Sequence, residues 1–211
     1  MKNLLSLLIL TIALASCGVP DTDVGKKDDV PAEDHRIFVT SDLLKGDFGA
    51  IEEEEGFVAV TENKAFTVAD KKCNDLAKAA GLTRHYMAII STEDVHASTR
   101  LTFTGAVYSV KSDGTSNLIA EAGSDLWLTE ATKNLLGTID LDEGGASRSG
   151  VNPWTGTGAD GASTNSTCQS WTKTEGTGFI GSTDNFGNKW IENDILSCGM
   201  SAPIFCISQE K

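Results

Sequence analysis

The segment from Val151 to Ile207 constrains the fold more than any other part of the sequence. It holds three of the chain's four tryptophans and three of its five cysteines. Its apolar stretches are short and are separated by Gly, Ser, Thr, Asn and Asp, a pattern that indicates short strands joined by long ordered loops. Because such a region forms little regular secondary structure, we expect disulfide bonds to contribute much of its stability.

The N-terminus has the features of a secretory signal. A positive charge at Lys2 is followed by an apolar run from Leu4 to Ala15, which is too short to cross a bilayer as a mature helix. The run ends in Leu-Ala-Ser-Cys at residues 14–17, which resembles the lipobox of bacterial lipoproteins. The resemblance implies removal of a signal peptide, residues 1–16, and acylation of Cys17, which anchors the chain to a lipid bilayer. An ordinary signal peptide with a chance cysteine is the alternative.

The mature chain is predicted to be a tether followed by one domain. Residues 17–35 are rich in charge, contain two prolines and no aromatic side chain, and predict a flexible segment. Residues 36–211 suit one domain of ordinary size. The formal net charge of the whole chain is −13, which argues against binding nucleic acid, heparin-like glycans or anionic lipid by charge. An acidic surface favours basic partners or cations, although solubility alone is a sufficient explanation.

Four cysteines remain once Cys17 is acylated: Cys73, Cys168, Cys198 and Cys206. An even number in an exported chain indicates two disulfide bonds, for which three connectivities are possible. No pair has CxxC spacing, and the three histidines are not near the cysteines in sequence. A zinc site is therefore not supported.

One main helix and several short strands are predicted. A Thr-x-x-Asp pattern from Thr67 to Asp70 predicts the helix start, and Gly81 suits the position just after its end. Cys73 lies on the apolar face of this helix, at the spacing of its other apolar residues. The acidic run Glu52–Glu55 predicts a solvated loop. Strands are predicted at 36–41, 56–61, 84–91, 107–110 and 117–120, with a hairpin turn at 112–114.

The C-terminal half carries a more specific pattern: W-T-G-T-x-A-D-G from Trp154, C-x-S-W from Cys168, and I-F-C-I around Cys206. With the opening I-F-V-T-S strand and the helical A-D-K-K-C-N, it resembles the endostatin-like branch of the C-type-lectin-like fold. In particular, it is similar to the endostatin-like surface lipoproteins described in leptospires. The resemblance covers residues 36–209, with more residues between 48 and 68 than the family pattern has.

This resemblance implies a fold and a disulfide scheme. The fold is an α+β domain with a mixed, mainly antiparallel sheet, one main helix, long loops and two disulfides. The scheme is nested, with the helix cysteine bonded to the last one and the two middle ones bonded together. In this chain the pairs are Cys73–Cys206 and Cys168–Cys198.

The candidate ligand contacts are loop residues Asn152, Asp160, Asn193 and Asp194, with Asn185 as a further position. Asn193 and Asp194 precede Cys198 much as an Asn-Asp pair does in calcium-dependent lectins, but Glu192 replaces the expected tryptophan and no Glu-Pro-Asn loop is present. Because calcium requires six to eight oxygen ligands, we expect no metal site and no cofactor. No nucleophile elbow or phosphate-binding glycine loop occurs, so the protein is expected not to be an enzyme.

The function implied by the resemblance is that of an adhesin on the bacterial cell envelope, lipid-anchored in the outer membrane and facing outside. Its expected partners are laminin, fibronectin and the complement regulator factor H, and not nucleic acid. Two alternatives remain at this point. One is a lectin-like domain that binds glycans, and the other is a structural envelope lipoprotein with no external ligand. The tryptophans are expected to pack in the core and among the loops rather than against a ligand.

Overall fold

The computed structural model describes residues 30–50, 64–128 and 133–209. The predicted signal peptide, Cys17, the acidic run Glu52–Glu55 and the strand predicted at 56–61 lie outside these ranges. Within them the protein is a mixed α+β structure with mainly antiparallel sheets, few helices and two disulfides. No helix in these ranges is long and apolar enough to cross a lipid bilayer.

Most of the regular structure lies in one main helix and short strands. The helices are α1 (Lys64–Ala79) and α2 (Ala97–Arg100), with 3-10 turns at Phe48–Ala50, Gly123–Leu126 and Asn188–Trp190. The strands are β1 (His35–Val39), β2 (Leu44–Lys45), β3 (Tyr86–Ala88), β4 (Val107–Val110), β5 (Ser116–Ala120), β6 (Thr177–Ile180), β7 (Asp194–Ser197), β8 (Ser201–Ala202) and β9 (Phe205–Ser208).

A five-stranded sheet in the order β3-β9-β1-β4-β5 forms the centre of the fold. Only β1 and β4 pair in parallel; the other neighbours are antiparallel. The predicted hairpin is confirmed as β4 and β5, and its turn contains Gly114 at φ +86°, a left-handed conformation that glycine adopts readily. Two smaller sheets pair β2 with β8 and β6 with β7.

Both faces of this sheet are covered, because neighbouring residues of β1 belong to different apolar cores. Phe38 packs in the core that contains α1, whereas Ile37 and Val39 pack in the core on the opposite face. Successive side chains of a strand point to opposite faces, so a strand covered on both sides has no solvent-exposed face. All five residues of β1 are accordingly buried.

The helix α1 begins earlier than predicted and ends as predicted. It starts at Lys64, so Thr67 and Asp70 do not form its N-terminal cap. The Asp70 carboxylate instead accepts from the Ala88 N–H at 2.8 Å and binds the Arg100 guanidinium. At the other end Gly81 has φ +79°, and Leu82 N–H donates to the carbonyl five residues back, which is the Schellman arrangement.

The last part of the predicted tether, residues 30–35, packs against the domain. His35 is the first residue of β1, and Val30 is 7% exposed. The Arg84 guanidinium donates to the main-chain carbonyls of Val30, Pro31 and Asp34, which fixes this segment to the domain. The charge-rich composition suggested a solvated segment, but these bonds use only main-chain acceptors, so they leave no trace in the composition.

Both disulfides have the pairs that the resemblance implies. The outer disulfide, Cys73–Cys206, joins α1 to β9 with a Cα–Cα distance of 5.7 Å. The inner disulfide, Cys168–Cys198, joins two loop segments with a Cα–Cα distance of 5.6 Å. The outer bond therefore links the main helix to the central sheet, and the inner bond lies within the loop-rich region.

Candidate binding surface

Three tryptophans hold the loop-rich region to the core, as predicted. Trp154, Trp171 and Trp190 are each 0% exposed. The indole N–H of Trp154 donates to the Leu44 carbonyl at 2.9 Å, and that of Trp171 donates to the Ser91 carbonyl at 2.8 Å. These bonds supply acceptors for the buried indole N–H groups of Trp154 and Trp171, and they fix the loop-rich region against β2 and the segment after β3.

A left-handed turn ends at one of these tryptophans, Trp171. Cys168, Gln169, Ser170 and Trp171 have φ values of 52°, 52°, 55° and 65°, and they are the only non-glycine residues with positive φ in the described ranges. Each L-residue in this conformation costs about 1–2 kcal/mol. The inner disulfide fixes one end of the turn, and the buried Trp171 ring, stacked 5.1 Å from Phe48, fixes the other.

The loop that follows Trp154 forms one wall of an open polar cleft, and the contacts of its tip hold it in place. Gly161 has φ +78°, and a β-carbon there would lie 2.6 Å from the Ser98 β-carbon, so only glycine fits. Ser98 N–H donates to the Gly161 carbonyl at 3.1 Å, and Leu128 N–H donates to the Ala159 carbonyl at 2.7 Å. The loop is thus fixed to α2 and to Leu128.

The open polar cleft beside this loop has a volume of about 370 Å³, and we call it the acidic cleft. It is lined by Leu128, Gly158, Ala159, Asp160, Ala162, Ser163, Thr164 and Glu192.

Two carboxylates converge at the acidic cleft. A β-carbon added at Gly158 would lie 3.2 Å from an Asp160 oxygen and 3.6 Å from a Glu192 oxygen, so both groups lie within contact distance of one point. The Asp160 oxygen accepts from Ala162 N–H and the Glu192 oxygen accepts from Ala159 N–H, each at 2.9 Å. These bonds orient the two side chains and leave acceptor capacity on both for an external donor.

The cleft does not have the ligand set of a metal site. In the ranges 30–50, 64–128 and 133–209, no three His, Cys, Asp or Glu side chains come together in a way that could hold a metal ion. Two carboxylates supply fewer oxygens than calcium requires. The arrangement is instead suited to a cationic group with several N–H donors, such as a lysine or arginine side chain.

The structure does not bring the predicted ligand residues together. Asp160 lines the acidic cleft, and the other three do not. Asn152 is exposed next to Val151, whose carbonyl accepts from Thr183 N–H. Asn193 uses its own N–H to bond the Ile180 carbonyl, 2.8 Å away.

Asp194 and Asn185 make local bonds instead of forming a ligand site. The Asp194 carboxylate accepts from the N–H of the next residue, Ile195, at 2.8 Å. The Asn185 amide donates to the Ser182 hydroxyl at 3.1 Å. The sequence likeness of Asn193-Asp194 to a calcium motif therefore has no geometric counterpart in the described part of the chain.

Asp184 fixes the exposed loop at Ser149 and Gly150. One of its carboxylate oxygens accepts from the Ser149 hydroxyl at 2.6 Å and from the Gly150 N–H at 2.9 Å. The hydrogen bond from Ser149, followed by that from Gly150, lowers the pKa of Asp184 below its usual value of 3.8.

Glu192 is the residue of the cleft that sequence reasoning missed. In the sequence, its one distinguishing feature is that it stands where calcium-dependent lectins have a tryptophan. Glu192 lies 32 positions after Asp160 in sequence, and no motif links the two. No local signal could have predicted their meeting, because it depends on how two loops pack.

No protein-family model matches the sequence, and no curated protein matches it.

Proposed function

We propose that this domain is C-type-lectin-like, of the endostatin-like branch, and that acylated Cys17 anchors it to the outer face of a bacterial outer membrane. Three features support the fold assignment: the nested disulfides, the single main helix bonded to a central strand, and the long loops between short strands. The Leu-Ala-Ser-Cys sequence at residues 14–17 supports the anchor.

We further propose that the domain is an adhesin that binds host proteins through basic side chains. Laminin, fibronectin and factor H are the candidates implied by the family resemblance. The observation that carries this proposal is the acidic cleft, in which Asp160 and Glu192 face one point on the loop surface. A lysine or arginine side chain entering the cleft would make charge-assisted hydrogen bonds to both carboxylates.

The overall charge supports the same kind of partner. With a formal net charge of −13, the chain attracts basic surfaces over a distance, which increases the association rate at low salt. The main-chain bonds to Asp160 and Glu192 hold the two side chains in place before a partner arrives, so less entropy is lost on binding.

The glycan alternative has less support. Sugar recognition commonly uses an exposed aromatic face, but Trp154, Trp171 and Trp190 have none because they are fully buried. Trp127 is half-buried and packs against Gly161. A glycan would have to bind without stacking on the three core tryptophans.

The test is binding of the oxidised domain, residues 18–211, to immobilised laminin, fibronectin and factor H at several salt concentrations. The double variant Asp160→Asn with Glu192→Gln removes both charges but keeps carbonyl oxygens that can accept the same main-chain bonds. We expect it to bind at least about tenfold more weakly and with a smaller salt dependence.

The control is Asp75→Asn, which removes one negative charge from the exposed side of α1. Asp75 pairs with Lys71 at 2.6 Å, and an exposed pair of this kind contributes little to stability. We expect Asp75→Asn to bind like the parent protein. Equal affinity of the parent protein and both variants would refute the cleft as the site, and absence of saturable binding by the parent would refute the adhesin proposal. Binding abolished by a chelator would favour a calcium-dependent lectin.

A further inference from the structure

Gln169 occupies a position in the left-handed turn that glycine would occupy with less strain. Its φ and ψ are 52° and 62°. Non-glycine residues persist in this conformation only where their surroundings enforce it, and such positions are frequent at functional sites. The side chain at each position of the turn is therefore expected to have a use that glycine could not supply.

Three of the four side chains in the turn have a structural use. Cys168 forms the inner disulfide, and the Trp171 indole N–H bonds the Ser91 carbonyl. The Ser170 hydroxyl accepts from Glu93 N–H at 3.1 Å. Gln169 differs, because its side chain is exposed and makes no hydrogen bond to any described residue.

The turn lies next to the acidic cleft. The Thr92–Asp94 loop contacts both: Glu93 bonds Ser170 of the turn, and the Thr92 carbonyl accepts from the hydroxyl of Ser163, a residue that lines the cleft. Glu93 and Asp94 themselves are exposed and acidic. The turn, this loop and the cleft therefore form one continuous surface.

We infer that Gln169 is a contact residue for the same basic protein partner, and that the turn projects its side chain from a fixed main-chain position beside the acidic cleft. This inference rests on the proposed function. A carboxamide both donates and accepts hydrogen bonds, so it matches an exposed main-chain peptide group that flanks a lysine or arginine of the partner. The strained turn lowers the stability of the free domain, and in exchange the main chain at Gln169 is fixed before a partner binds.

The test compares Gln169→Gly with Gln169→Ala in thermal stability and in binding to immobilised laminin, fibronectin and factor H. Gln169→Gly relieves the left-handed strain and should raise the Tm by roughly 2–4 °C. Gln169→Ala removes the amide but retains the strain, so its Tm should match that of the parent. Both variants should bind about tenfold more weakly than the parent protein.

The outcomes separate this inference from the proposed function. If the parent protein binds and the Asp160 and Glu192 variant is weakened, but both Gln169 variants bind like the parent, this inference is wrong and the proposed function stands. If the parent binds none of the three proteins, both are wrong. A weakened Gln169→Gly alongside an unaffected Gln169→Ala would assign the effect to backbone flexibility and would also overturn the inference.

Discussion

The two disulfides lie in regions that are held together in different ways. Around Cys73–Cys206, α1 packs on a five-stranded sheet whose strands are paired by main-chain hydrogen bonds. Around Cys168–Cys198, the chain has a two-stranded sheet, isolated single pairings and buried indoles bonded to carbonyls. The sheet region would keep most of its order without its bond, whereas the loop region depends on a few specific side chains.

Removal of each disulfide gives the largest effects and tests this difference. On a chain-entropy model, Cys73→Ala with Cys206→Ala, which opens a separation of 133 residues, should cost about 5 kcal/mol. Cys168→Ala with Cys198→Ala, which opens 30, should cost about 4 kcal/mol. Denaturant unfolding of both variants measures these costs.

The two disulfide variants should differ more in the local order of their native states than in their free energies of unfolding. In the variant that lacks the inner disulfide, we expect trypsin to cleave after Lys173, which follows the left-handed turn. Its far-UV circular dichroism spectrum should match that of the parent protein. In the variant that lacks the outer disulfide, we expect unfolding to remain cooperative and no local cleavage after Lys173. The same protease pattern in both variants would mean that the two regions unfold as one unit.

Asp70 tests how far the sheet region depends on a single side chain. Asp70→Ala removes the acceptor of Ala88 N–H and leaves the Arg100 side chain, which is 9% exposed, without its carboxylate. We expect a loss of about 3 kcal/mol in the free energy of unfolding, because the remaining charge is largely buried. Asp75→Ala, on the exposed side of the same helix, is the control and should change stability by less than about 0.5 kcal/mol.

Asp70 also shows where prediction from sequence reached its limit. The hairpin β4–β5, the end of α1 at Gly81 and the burial of Cys73 follow from local patterns, and all were predicted. Asp70 fitted a local capping pattern, but its carboxylate bonds residues 18 and 30 positions away. Local spacing cannot distinguish the two roles when a distant partner provides the better bond.

Gly156 tests the loop region. It has φ +57°, and a β-carbon there would lie 2.8 Å from the Trp171 ring and 3.0 Å from the Ser91 carbonyl. Gly156→Ala combines left-handed strain with this crowding, so we expect a loss of roughly 2–3 kcal/mol. Gly176→Ala is the matched control, because it has φ +87° but no atom near the added carbon. Thermal unfolding of the pair separates crowding from strain, and equal losses would show that crowding is unimportant.

The smallest expected effect is the pH dependence contributed by Asp184. Its pKa is lower in the folded protein than the usual 3.8, so ionised Asp184 favours folding. This contribution is complete above the unfolded value and is lost as the pH falls through the lowered folded value. We expect Asp184→Asn to be slightly less stable than the parent at pH 7, and the difference to shrink below pH 3.8. A difference that stays constant down to pH 2 would contradict this account.

The candidate site was less predictable from the sequence than the fold. Asp160 was identified as a loop residue with a carboxylate, but its neighbour Glu192 becomes relevant only when two loops meet. The left-handed turn could not be predicted either, because Cys168, Gln169, Ser170 and Trp171 have no intrinsic preference for that conformation. Both features depend on tertiary constraints, chiefly the inner disulfide and the buried tryptophans.

The position of β9 has a consequence for how the chain acquires its structure. Phe205–Ser208 lies between β3 and β1, so the centre of the sheet pairs residues about 170 positions apart. Neither β1 nor β3 can complete its pairing until this segment has been synthesised. Pairings of such high contact order slow folding, and β1 and β3 keep unpaired edges, which are prone to aggregation, until β9 has been synthesised.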